Sequence, residues 1–186
     1  MNKIVIAAIC VLLAACSEDS SRKAESTPSP SHSSQPSQTL EQKAENEWVK
    51  VEEKDEMRGV SFTQFAKYSE NEANLEFPSK KGKALIILTK RSDLPSIQVQ
   101  ISLTGQVQCR GEGLKGCLIP VKFENESIEY FKAEVMDENY DSLVISDDES
   151  GLFVSKLKSS STVIAEINFY KNPTTQFKFN TSGLSM

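Results

Sequence analysis

Apolar and polar positions alternate most cleanly at Ile97, Val99, Ile101 and Leu103, with Gln98, Gln100 and Ser102 between them, which gives a strand one apolar and one polar face. The same period of two returns at Val163, Ala165, Ile167 and Phe169, and again at Phe177 and Phe179. Upstream, Trp48-Val49-Lys50-Val51 predicts a strand ending near Glu53. Val60, Phe62, Ala66 and Tyr68 predict a long half-buried strand with these residues inward and Ser61, Thr63 and Lys67 outward. Ala84 to Leu88 is an unbroken apolar run of strand length, which predicts a central strand covered on both faces; a buried helix would need a longer run. Extended segments are also predicted at Leu75 to Phe77, Gln106 to Cys109, Leu118 to Phe123, Ile128 to Val135 and Ser142 to Ser146. Gly151 to Lys158 fits either a strand or a short helix with Phe153 and Leu157 four apart, and a helix or turn crossing between sheets is the favoured reading.

Turn chemistry falls between these runs at Met57-Arg58-Gly59, Lys80 to Lys83, Ser92 to Pro95, Thr104-Gly105 and Asn172-Pro173. Short strands at intervals of about eight to twelve residues predict an all-β fold, an antiparallel β-sandwich with a closed barrel as the alternative. Trp48, Phe62, Phe123 and Phe169 stand on separate strands, which suits one shared core.

The chain before Trp48 has a different grammar. Lys3, an apolar run from Ile4 to Leu13, and small residues before Cys16 read as a secretory signal peptide, too short to span a bilayer. From Ser17 to about Gln38 the residues are Ser, Pro, Gln, Lys and Glu with almost nothing apolar, so burial cannot offset chain entropy and a flexible tether is expected. Leu40 to Glu47 has good helix formers. The predicted organisation is a leader at 1–15, Cys16 and the tether at 16–47, and the β domain at 48–186.

Composition narrows the chemistry. A formal net charge of −5 argues against nucleic acid as a partner, since such binding rests on clustered Lys and Arg. The single histidine, His32, lies in the tether, so Ser-His-Asp and Cys-His catalysis and zinc catalysis lack their base or ligand, and no phosphate-cradling glycine motif is present. The expectation is a non-enzymatic protein without a cofactor. Of four cysteines, Cys10 belongs to the leader and Cys16 to its end; Cys109 and Cys117 remain, and an even pair in an exported chain predicts a disulfide across a hairpin. Three of the seven residues between them are glycine. Asp137, Asn139, Asp141 and Asp148 partly match the oxygen-ligand spacing of a calcium loop, but Ser142 stands where such a loop turns on glycine, Asp148 where a bidentate Glu is usual, and the flanks read as strands, so two solvated acidic turns are the favoured reading.

Leu13-Ala14-Ala15-Cys16 resembles the bacterial lipoprotein signal, which implies cleavage before Cys16, acyl chains on that cysteine, and attachment to a lipid bilayer. Ser17 stands where the inner-membrane retention rule of Gram-negative bacteria wants Asp, so the resemblance implies the outer rather than the inner membrane. Trp48, Met57, Ala84 to Leu88, Cys109 and Cys117 leading into Val121-Lys122-Phe123, Ile167 to Tyr170, and Phe177-Lys178-Phe179 to Leu184 together resemble small exported proteobacterial proteins of unassigned function. More distantly they are similar to accessory envelope proteins of type VI secretion. The resulting expectation is an anchored lipoprotein whose β-sandwich binds another envelope protein or a surface ligand. The alternative is an inhibitor-type lipoprotein that blocks an envelope hydrolase with the Cys109 to Cys117 loop.

Overall fold

The computed structural model describes residues 47–76, 80–109, 116–136 and 140–186. Among the described residues nine strands appear in chain order: β1 (Val49–Asp55), β2 (Val60–Ala73), β3 (Gly82–Arg91), β4 (Ile97–Ser102), β5 (Cys117–Phe123), β6 (Ile128–Val135), β7 (Ser142–Ile145), β8 (Thr162–Ile167) and β9 (Thr175–Asn180). One helix, α1 (Asp147–Ser159), lies between β7 and β8. All strand pairings are antiparallel, in the order β1-β2-β3-β4-β7-β6-β5-β8-β9. The fold is therefore the all-β antiparallel one, formed by a single sheet folded over a single core. The barrel alternative does not form, because no backbone ladder joins the two ends of the sheet.

Side chains seal that gap instead. β1 pairs with β2 only from Val60 to Ala66. Beyond a bulge between Tyr68 and Glu72, the rest of β2 comes against β9. There the Asn71 amide donates to the Gln176 carbonyl at 2.8 Å and accepts from the Lys178 N–H at 2.8 Å, doing with one side chain what a ladder rung would do. The Trp48 indole donates to the Thr181 carbonyl at 3.2 Å, and Lys178 pairs with Glu70 at 3.0 Å. The bulge is patched by Ser69, whose hydroxyl donates to the Asn71 carbonyl and accepts from the Ala84 N–H.

The core is aromatic at its centre. Phe123, Phe131 and Phe153 meet edge to face with ring centroids 5.1 to 5.8 Å apart. Phe153 comes from α1, whose buried residues Ser150, Phe153, Val154 and Leu157 recur at helical spacing. Gly151 to Lys158 is thus the helix its pattern suggested. Asp147, Asp148 and Glu149 form its first turn and Lys156 and Lys158 its last, charges that suit the helix dipole. The second acidic stretch is consequently a helix start rather than a turn.

Two further expectations change. On β2 the inward residues are Phe65, Lys67 and Ser69, while Phe62 lies half-exposed beneath the Arg91 guanidinium. The reason is register: Phe65 and Lys67 stand opposite Leu88 and Ile86, whose face of β3 is fully buried, and antiparallel partners share a face. Residues 106–109 do not pair with β5 across the cysteines. They cross the end of the core, where the Val107 N–H donates to the Tyr140 carbonyl and Val107 bridges Phe169.

Candidate binding surface

The inward positions of β5 are Cys117, Ile119, Val121 and Phe123, all buried. Its outward positions, Leu118, Pro120 and Lys122, should then be polar if water were their only neighbour. Leu118 and Pro120 are not, and on β6 beside them Ile128 and Tyr130 share the outward row with Lys132 and Glu134: Leu118 is 55% exposed, Ile128 57% and Tyr130 63%. Register places Pro120 opposite Tyr130, and Lys122 opposite Ile128 on one side and Ile164 on the other. The next residue along that row is Lys178, opposite Ile164. Apolar and basic side chains thus alternate across four strands.

The ladder between β5 and β8 holds only from Val121 to Phe123 and stops short of Pro120, a residue with no N–H to donate. Where it stops the face is indented. A groove of about 290 Å³ is lined by Pro120, Lys122, Ile128, Ile164, Glu166 and Gln176. Its polar wall is a fixed pair, the Gln176 amide donating to the Glu166 carboxylate at 2.9 Å. Glu166 also lines an adjoining slit beside Cys109, Cys117 and Asn168, with room for about one water at 10 Å³. Lys132 lies 3.7 Å from Glu149, and Lys178 pairs with Glu70. Lys122 has no ion pair among the described residues.

Cys109 and Cys117 are disulfide-bonded, with Cα atoms 4.8 Å apart. The bond fastens the crossing segment to the start of β5, while the Gln108 N–H donates to the Asn168 carbonyl from the same segment. Residues 110–115 of the loop between the cysteines lie outside the described residues, as do Cys16, His32 and the tether. Asp137 and Asn139 lie outside them too. Asp141 offers its carbonyl to the Leu103 N–H, and Asp148 sits in the first turn of α1 with Lys132 at 3.8 Å. Among the described residues no three His, Cys, Asp or Glu side chains gather as metal ligands. Lys67, placed outward by the sequence pattern, is 3% exposed; burial pushes its ammonium pKa down, against the opposing pull of Glu70 and Glu47.

The residues that sequence reasoning passed over are Leu118, Lys122, Ile128 and Tyr130. One signal could have found them: Cys117 to Val121 carries no polar residue, too apolar for a strand wet on one side. No family model matches the chain, and no curated protein or solved structure matches it.

Proposed function

We propose that the chain is a lipid-anchored envelope lipoprotein, non-catalytic, which uses its β domain to bind another envelope protein or a surface ligand. The observation that carries the binding role is the exposed trio Leu118, Ile128 and Tyr130 on two paired strands beside an indented groove. Single exposed apolar side chains are ordinary, whereas several on one face of two paired strands, flanked by Lys122 and Lys132, support a surface kept for a partner. The anchor follows from Leu13-Ala14-Ala15-Cys16, with acyl chains on Cys16 holding the protein at a bilayer, the outer membrane on the evidence of Ser17. The tether read from the sequence at 16–47 is useful mainly to a domain that must reach a partner.

Mass spectrometry of the mature N-terminus, with membrane fractionation of wild type and Cys16→Ala, tests this. Acylated Cys16 in the outer-membrane fraction, lost in the variant, is the expected result; an unmodified soluble chain would remove the anchor.

A second reading is the hydrolase inhibitor that presents the Cys109 to Cys117 loop. It is favoured by how firmly the loop's feet are held, by the disulfide and by the main-chain bonds of Val107 and Gln108. Replacing residues 110–115 with a short turn distinguishes the two, since only the inhibitor would lose its function with the fold intact.

A further inference from the structure

We propose that the free edge of β1 pairs with the same edge of a second copy of the chain, about a two-fold axis through Val51. The surface lies apart from the β5–β6 face, and the proposal draws on neither that face nor the lipid at Cys16.

β1 stands at the end of the sheet and is laddered only to β2. Which of its main-chain groups are left over follows from Ser61. The Ser61 N–H donates to the Ser92 hydroxyl at 3.0 Å and its carbonyl accepts from the Ser92 N–H at 2.9 Å, so both groups point away from β1. In an antiparallel ladder, facing pairs alternate between those that exchange hydrogen bonds and those that do not. Lys54, opposite Ser61, therefore turns its own N–H and carbonyl outward, and Glu52 and Lys50 do so at steps of two. Asp55, of the other parity, turns its carbonyl back to the Gly59 N–H. Among the described residues nothing meets the outward groups of Lys50, Glu52 and Lys54.

The charges choose the occupant. When two copies of β1 meet antiparallel about an axis normal to the sheet, facing residues share a face and the contact is self-complementary. With the axis at Val51, Lys50 faces Glu52 of the second copy and Glu52 faces its Lys50. Each facing pair exchanges two main-chain bonds, and each ammonium stands opposite a carboxylate. Lys50 and Glu52 already pair within the chain, so the charges close into a ring of alternating sign. Val51, half-buried on the other face, meets its own copy on the axis.

Other centres along the strand fail. An axis at Lys50 sets Lys50 against Lys50, and an axis at Glu52 sets Glu52 against Glu52 and Lys50 against Lys54. An axis at Glu53 brings Glu52 to Lys54 but sets Glu53 against Glu53 and Val51 against Asp55. Within β1, only the axis at Val51 joins opposite charges without a like pair. The charges that discourage chance pairing thus admit one register, and the strand that fits it is β1 itself. A single pair of strands makes a small contact, so the dimer is weak and reversible.

The axis gives the test. Facing residues that do not exchange main-chain bonds have Cα atoms about 4.5 Å apart, within reach of a disulfide. The full chain carrying Val51→Cys, oxidised in intact cells, should give a disulfide-linked dimer on a non-reducing gel. Glu53→Cys lies on the same face and is more exposed, but it faces Val49 of the second copy and should link at least about fivefold more slowly. In the Val51→Cys chain, Lys50→Glu or Glu52→Lys alone should slow linking by about fivefold or more, and the two together should restore it. Near-UV circular dichroism should show every variant folded. Sedimentation of the unsubstituted mature chain in detergent should show a monomer–dimer equilibrium that Lys50→Glu abolishes.

No linking at position 51, equal linking at 51 and 53, or linking indifferent to the charges at 50 and 52 overturns the proposal. Capture at position 51 of a different protein alone also overturns it. The expected adduct is a second copy of the chain, told by its mass from any product of the β5–β6 face. A chain without lipid on Cys16, or a β5–β6 face without a partner, would leave these outcomes unchanged.

Discussion

The β1–β2 and β5–β6 hairpins belong to the same sheet and are built to the same antiparallel rule, yet they treat water in opposite ways. β1 shows water Lys50, Glu52 and Lys54, with Lys50 and Glu52 paired and Lys54 paired to Glu56 at 3.2 Å; its turn is held by Asp55, which accepts from the N–H groups of Met57 and Arg58. These charges also discourage chance pairing at an edge strand. β5 and β6 show Leu118, Ile128 and Tyr130 among Lys122, Lys132 and Glu134. Folding alone accounts for the first hairpin, because polar outward residues follow from one buried face. It does not account for the second, whose core contacts are already complete through Phe123 and Phe131. The surplus apolar surface is what supports the proposal that β5–β6 is a binding hairpin.

Neighbouring residues on β6 give the largest expected contrast. Phe131 is buried against Phe123 and Phe153, so Phe131→Ala should cost about 3–5 kcal/mol in chemical denaturation. Tyr130, one position away on the other face, should change stability by no more than about 0.5 kcal/mol when cut to Ala. If Tyr130→Ala proved as costly as Phe131→Ala, the outer face would be part of the fold and the comparison would collapse. Next in size is the tether at the start of β5: replacing both Cys109 and Cys117 by Ser should cost about 2.5 kcal/mol, the entropy of a short closed loop, read from the same denaturation curves.

The opposite side of the sheet offers a smaller effect. Asn71→Ala removes its two hydrogen bonds to β9, leaving the Lys178–Glu70 pair, and should cost about 1–2 kcal/mol, with faster amide exchange at Lys178. The smallest effect lies at the β1–β2 turn. The Arg58 guanidinium, 2.8 Å from Asp55, together with the Arg58 N–H, holds the Asp55 carboxyl below its ordinary range. A depressed carboxyl stabilises the fold above its unfolded pKa and loses that contribution as pH falls through the folded value. Arg58→Ala should therefore raise the Asp55 midpoint in an NMR titration and make the turn loosen at a higher pH on acidification, with little change at neutrality.

The strands themselves were largely legible in the sequence because one-sided burial imprints a period of two, as at Ile97 to Leu103 and Val163 to Phe169. The spacing of four between Phe153 and Leu157 favoured α1 without excluding a strand, and the helix also takes in the acidic residues from Asp147 that the pattern left as a turn. What could not be read was which face of an ambiguous strand turns inward. On β2, Phe62 and Phe65 have opposite parity, and only the register with Ile86 and Leu88 decides between them. The order of strands was also hidden, since β7 inserts between β4 and β6 through contacts that local pattern does not encode. The candidate surface was hidden for a related reason: Leu118 and Ile128 read as ordinary strand residues until the structure shows their side of the sheet uncovered.

The most direct measurement is site-specific photo-crosslinking in cells of the full-length chain, with a photoreactive residue at Tyr130 and, separately, at Glu52 on the charged hairpin. A discrete adduct from position 130, absent from position 52, is the result expected if β5–β6 is the binding hairpin. No adduct at position 130, or the same products from both positions, would contradict it.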